Sequence, residues 1–450
     1  MTPRALVAML GIAISAALVL AMQRRRYDAR ETGWVIAAFI AHLISAVLQV
    51  LVTTRFYRGG DVTLYQYTGR QIARLIDFDP GLFLPRTLGL VFQTGDHVFP
   101  FDVIGAGAST GTMQGIAALI IWSLGDSLYV SGLVASLGAF FGQLALYRVF
   151  RAHVPLEQRR TVLLAALLVP SVVFWSSALL KESVAMAGLG WVLVAMDRFF
   201  RGERLRSLPV LFAGATPIAL VKPYVLFALV LSSVVWWYWH RELHVARRPR
   251  VRLRPGYVVL AGVGAVVAMV LLGQVFPRYA FDNVIDEASR LQAVGAQVSG
   301  GSNYALAENV RGSPIGQLGF APLALFTALF RPLIFEARNA PMFVNALEMT
   351  LLLLLFLRAL WEHSWRSLWS RLGRSPLFVF AIAFVAVFGV AVGLASTNLG
   401  TLSRYRVPLV PFFAAVVLLL ARGGPLPVWT EEEPGEKASG LPSSRLRSAS

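Results

Sequence analysis

Apolar runs long enough to cross about 30 Å of hydrocarbon as helices recur along the whole chain, and they restrict its fold more than any other feature. They lie near residues 5 to 22, 33 to 53, 128 to 147, 161 to 180, 183 to 199, 207 to 221, 223 to 239, 256 to 276, 342 to 360, 376 to 396 and 407 to 422. Backbone amides find no partner in lipid, so each run must be helical. The expected fold is therefore all-α: a polytopic transmembrane protein with about eleven spanning helices. Composition points the same way, with 56% apolar and 14% charged residues, where a soluble domain carries about 25% charged residues.

Two other apolar stretches fail as full crossings. Thr112 to Gly125 is too short, and Gln317 to Ile334 is interrupted by Pro322 and by Arg331-Pro332. Counting either one alone would invert every later loop. Both are expected to be re-entrant or interfacial helices on the outer side, a placement lipid tolerates only where protein or a wet cavity covers the helix ends.

The net charge of +17 sits largely in short loops between the runs, which makes it a topology signal and argues against a nucleic-acid partner. The sets are Arg24 to Arg26, then Arg148, Arg151, Arg159 and Arg160, then Arg198, Arg201, Arg204 and Arg206. They continue with Arg241, Arg247, Arg248, Arg250, Arg252 and Arg254 and end with Arg358, Arg366, Arg371 and Arg374. If all these loops are cytoplasmic, every crossing alternates consistently, with the N-terminus outside and the C-terminus inside. Arg24 to Arg26 lie on the wrong flank for signal cleavage, so the first helix is expected to be retained. The expected organisation is a transmembrane domain over 1–424 with large outer loops at 54–127 and 277–341. A disordered cytoplasmic tail, rich in Pro, Glu, Ser and Arg, follows over 425–450. The chain has no cysteine, which excludes disulfides, thiol nucleophiles, iron–sulfur clusters and thiolate zinc sites.

With the inner loops short and basic, chemistry belongs on the outer face. Gly59-Gly60 permits a sharp exit from the second run and places Asp61 near the membrane surface. A carboxylate there acts as a general base on a hydroxyl, holds a divalent cation, or is a solvated loop residue. Lys181 and Glu182 are the only acidic or basic residues between Thr161 and Met196. Near-membrane charges are costly when unpaired, so they read either as functional or as an ion pair capping the turn. Lys222-Pro223 breaks the next apolar hairpin, and its ammonium suits a phosphate or snorkels to the interface. Arg331 beside Pro332 either faces a polar cavity or bridges to Glu336. Arg404 and Arg406 stand on the outer side against the positive-inside tendency, as fork-like phosphate ligands or as interfacial anchors.

This layout resembles the GT-C class of membrane glycosyltransferases, which includes aminoarabinose transferases and protein O-mannosyltransferases. The phrases that carry the likeness are Asp61 in the first large outer loop, Leu124-Gly125-Asp126-Ser127, and the run from Leu146 to Arg151. The acidic outer turn Lys181-Glu182 and the stretch from Arg404 to Pro411 complete it. Wzy-type polysaccharide polymerases, with outer-face Arg residues and lipid diphosphate substrates, are similar too. The resemblance implies a multi-pass protein of a bacterial inner membrane that transfers sugar from a polyprenyl-linked donor to a glycan or lipid acceptor. Asp61 and Glu182 would be catalytic, and Lys181, Lys222, Arg331, Arg404 and Arg406 would bind substrate. The competing expectations are a transporter or flippase of lipid-linked saccharides and a non-catalytic envelope-assembly subunit.

Overall fold

The computed structural model describes residues 3–23, 27–245, 319–396 and 398–423, and these residues form helices without a β-strand. The helices begin with α1 (Pro3–Gln23), α2 (Ala29–Leu51, continued by a wider turn over Val52–Phe56), α3 (Asp61–Phe78), α4 (Pro80–Phe92) and α5 (Ser109–Leu124). Next come α6 (Leu128–Ala152), α7 (Arg159–Leu167), α8 (Pro170–Trp175), α9 (Lys181–Phe200), α10 (Arg204–Val221) and α11 (Pro223–His240). The last group is α12 (Ala321–Phe330), α13 (Ala340–Glu362), α14 (Trp365–Leu372), α15 (Pro376–Ala395), α16 (Leu399–Tyr405) and α17 (Val410–Arg422).

Among the described residues, eight helical segments are long and apolar enough to cross a membrane: α1, α2 with its extension, α6, Leu156–Trp175, α9, α10, α13 and α15. The pair α16 and α17, bent by 82°, makes up to nine. The protein is thus a multi-pass membrane protein. The expected run at 223 to 239 is helical as α11, but its last turns hold Trp236, Trp237, Tyr238 and Trp239, amphipathic rings that suit an interface more than the bilayer centre. The run at 256 to 276, most of the loop at 277–341, Arg24 to Arg26 and the tail at 425–450 lie outside the described residues.

The stretch at 54–127 holds three helices. Helix α3 buries Val62, Tyr65, Gly69, Ile72, Ala73 and Ile76, at helical three- and four-residue spacing, and leaves Arg74 and Asp77 exposed. A hydropathy window averages the two faces of such a helix and misses it. The Asp79 side chain accepts from the Leu82 amide at 3.0 Å and starts α4. The expected re-entrant segment at Thr112 to Gly125 is most of α5. It packs against α3, α4, α6 and α10, so protein covers most of it. The second expected segment is the ten-residue α12, laid against α15.

Small residues let the helices touch backbone to backbone. An added Cβ at Gly190 would stand 1.8 Å from the Gly142 carbonyl oxygen, and one at Gly214 would stand 2.7 Å from the Val192 amide nitrogen. These contacts lock α6, α9 and α10 together where lipid offers no hydrophobic drive for helix association. At Gly393 the same close approach is made to Ala324 of α12. Elsewhere aromatic rings fill the interior. Phe380, Phe384 and Phe388 share one face of α15, and Phe412 of α17 sits edge-on to Phe384 at 4.9 Å.

A buried polar clasp joins α2 to its neighbours, with the Ser136 hydroxyl 3.3 Å from His42 Nδ1 and 3.0 Å from the Ser177 hydroxyl. At one end of the bundle lie the Arg-rich turns. There Arg151 pairs with Glu31 at 2.8 Å, and Arg201 pairs with Asp197 at 2.9 Å. The candidate residues gather at the opposite end.

Gly190→Val is expected to destabilise the fold by about 3 kcal/mol or more, at the upper end of overpacking costs, because the obstacle is backbone. Gly11→Val, with nothing within 4 Å of the added Cβ, serves as control. Thermal unfolding of the detergent-solubilised variants checks this, and equal midpoints for both would refute the α6–α9 contact.

Candidate functional site

Each candidate side chain is placed by the end of a helix. Arg58, Gly59 and Gly60 have φ of 55°, 144° and 126°, a run of positive values that reverses the chain between α2 and α3. Asp61 follows as the first residue of α3, where the positive end of the helix dipole favours a carboxylate. Glu182 lies in the first turn of α9. Lys222 sits between α10 and α11, with extended φ ahead of Pro223, as a residue preceding proline prefers. Arg404 lies in the last turn of the short α16, and Asn398 starts that helix by accepting from the Gly400 amide at 2.8 Å.

Four distant segments meet on one ion cluster. Arg404 Nη2 donates to Asp61 Oδ2 at 2.7 Å and lies 3.6 Å from Glu182 Oε2. Lys222 Nζ donates to Glu182 Oε1 at 3.0 Å, with both side chains 2% exposed or less. The Tyr405 ring lies 5.2 Å from the Lys222 ammonium, and the Trp175 ring lies 5.7 Å from the Arg404 guanidinium, within cation–π range. Glu182 thus has a cation on each oxygen. Asp61 uses Oδ2 alone, and its side chain is 44% exposed. Beneath it, burial first, and then the charges of Asp61 and Glu182, push the Tyr65 phenol well above its ordinary pKa, so it stays neutral.

Asp61 and Arg404 line a cavity of about 670 Å³ together with Thr53, Tyr57, Arg58 and Trp175. Thr53, Trp175, Leu180 and Ala395 are residues at or beside the ends of membrane-crossing helices. The cavity therefore lies at a membrane boundary, at the end of the bundle away from the Arg-rich turns.

The other expected site residues are employed elsewhere. Lys181 Nζ donates to Thr110 Oγ1 at 3.1 Å, at the start of α5, although it still feels the charges of Asp61 and Glu182. Arg406 is fully buried and points away from the cavity. It donates to the Ala328 carbonyl at 3.1 Å, to the Arg331 carbonyl and to Asn345 Oδ1 at 2.8 Å. A cation there serves the negative end of α12. Arg331 bridges to Glu336. Partial burial works against the Glu336 charge, but that bridge and the Leu333 amide hold its carboxyl below the usual range. Glu348 accepts from the Ser171 amide and hydroxyl at 2.7 and 2.6 Å, at the start of α8. Asp126 is held by Arg70 and Gln66, tying α3 to the approach of α6.

Among the described residues no three His, Asp or Glu side chains gather as a metal-binding set. Asp61 and Glu182 share a guanidinium, so this donor arrangement does not fit a divalent cation bridging them. Tyr57, Arg58 and Thr53 were given no role from sequence. They carry no spacing signal that would mark them in the sequence. Compared with protein-family models, with curated proteins and with solved structures, the chain matches none.

Breaking the buried pair from one side leaves an uncompensated charge. Lys222→Met is expected to cost about 3–5 kcal/mol of stability, and adding Glu182→Gln to it is expected to restore part of the loss. Thermal unfolding in detergent checks both. Additive losses in the double variant would show that the two residues are not a pair.

Proposed function

We propose that this chain is a GT-C-like glycosyltransferase or polymerase. It moves a sugar from an undecaprenyl-linked donor to a cell-envelope glycan or lipid, at the outer face of a bacterial inner membrane. The observation that carries this reading is the meeting of Asp61 with Arg404, 343 residues away in sequence, beside buried Glu182 and Lys222 at the edge of a boundary cavity. The position of the Arg-rich turns at the other end of the bundle supports the outer assignment through the positive-inside tendency. It fits about eleven crossings, with the N-terminus outside and the C-terminus in the cytoplasm.

In this mechanism Asp61 is the base. Arg404 fixes Oδ2, and Oδ1 has no hydrogen-bond partner among the described residues, so it accepts the proton of an acceptor hydroxyl. The acceptor oxygen then bonds to the anomeric carbon as the bond from that carbon to the donor's phosphate oxygen breaks. The leaving phosphate keeps the electron pair, and neighbouring cations offset its charge. Glu182 reacts with nothing; it holds Arg404 and Lys222 in place. Catalysis of this kind rests on orientation and preorganised charge, which suits side chains locked by burial.

Asp61→Asn preserves the shape and one hydrogen bond to Arg404 but removes the basic oxygen. It is expected to lower transfer from a labelled undecaprenyl-phosphate sugar in membrane vesicles by about a hundredfold or more, the scale of general-base catalysis, with expression unchanged. Undiminished transfer in that variant would eliminate Asp61 as the base.

A further inference from the structure

The cations around the cavity differ in what they have left to offer. Arg404 and Lys222 are matched by Asp61 and Glu182, and Lys181 is turned to Thr110. Arg406 and Arg331 serve carbonyls and Glu336 away from the cavity. Arg58 is different: it lines the cavity, is exposed, and makes no ion pair or hydrogen bond through its side chain among the described residues. Its backbone adds a second signal. With φ at 55° it occupies the left-handed region at the end of the extended α2, where the Gly59 amide reaches back to the Thr53 carbonyl at 3.2 Å. Glycine is the usual residue there, and glycine stands next to it, yet the chain spends an arginine on the position. Residues held in such conformations cluster at ligand-binding and active sites.

Resting on the transferase reading above, we infer that Arg58 is the docking residue for the diphosphate or phosphate of a lipid-linked substrate. Its place two residues beyond the end of a membrane-crossing helix sets the guanidinium at headgroup depth. A phosphate can sit there while its hydrocarbon chain stays in the bilayer. The planar five-donor fork matches phosphate oxygens, and an arginine is always charged. Arg404 and Lys222 are already engaged by Asp61 and Glu182, so Arg58 is the cation of the cavity lining left without a carboxylate partner among the described residues.

The test is binding to the full-length protein in nanodiscs of zwitterionic lipid, with inorganic diphosphate and undecaprenyl diphosphate as separate probes. Wild type is expected to bind both, the lipid-linked form more tightly. Arg58→Gln is expected to weaken both by about tenfold, and Arg55→Gln, altering an exposed cation outside the cavity lining, is expected to change neither. Arg58→Gly relieves the backbone strain, so its thermal midpoint is expected to hold or rise while affinity falls. Unchanged affinity in Arg58→Gln, an equal loss in Arg55→Gln, or no diphosphate binding by wild type overturns the inference. Sugar transfer is not part of this readout. Arg58-dependent diphosphate binding by a protein that transfers no sugar keeps the subsite and removes only the transferase reading.

Discussion

The Glu182 carboxylate, buried between Lys222 and Arg404, is the interaction on which the arrangement of this end of the molecule depends. An isolated carboxylate at a membrane boundary with almost no access to water costs several kcal/mol. Lys181, beside it in the same turn, makes its hydrogen bond to Thr110 instead. Its ion pairs form when the α10–α11 junction and the α16 segment close upon α9. The same requirement places Arg404 against Asp61, and so fixes the entry to α3. One buried charge thus sets the relative positions of four segments.

That closure is possible because the helices beneath it are brought into near contact by small residues. Gly142 with Gly190, and Gly188 with Gly214, let α6, α9 and α10 approach until backbones touch. The start of α9 and the end of α10 then stand close enough for Glu182 and Lys222 to meet at 3.0 Å. Larger residues at those glycines would separate the helix ends as well as the helix middles. The packing deep in the bundle and the ion cluster at its rim are two levels of one constraint.

Much of this was legible in sequence because lipid makes simple demands. Long apolar runs had to be helices, and Asp61, Glu182, Lys222 and Arg404 stood out as charges at helix junctions on one side. What sequence left open was direction and pairing. Arg404 lies in the last turn of a short helix and Arg406 directly follows that helix, so they point to different sides, one into the cavity and one into the carbonyls that end α12. Arg331 had two readings, and the partner five residues on, Glu336, is the contact made. Helix α3 was missed because its polar and apolar faces cancel in any average along the chain. Charge partners hundreds of residues apart leave no local trace at all.

Burial grades the charges of this site by the work each can do. Lys222 and Glu182, almost sealed from water, cannot exchange partners without stranding a charge, which makes them scaffold. Arg404 is intermediate: one nitrogen reaches both carboxylates while the guanidinium still borders the cavity. Asp61 is half in water and keeps one oxygen uncommitted among the described residues, and Arg58 is exposed and unpaired among them. Under the proposed transferase reading this order has a use: fixed charges hold Asp61 from behind, and the groups that remain hydrated in the resting state are the ones able to trade water for substrate.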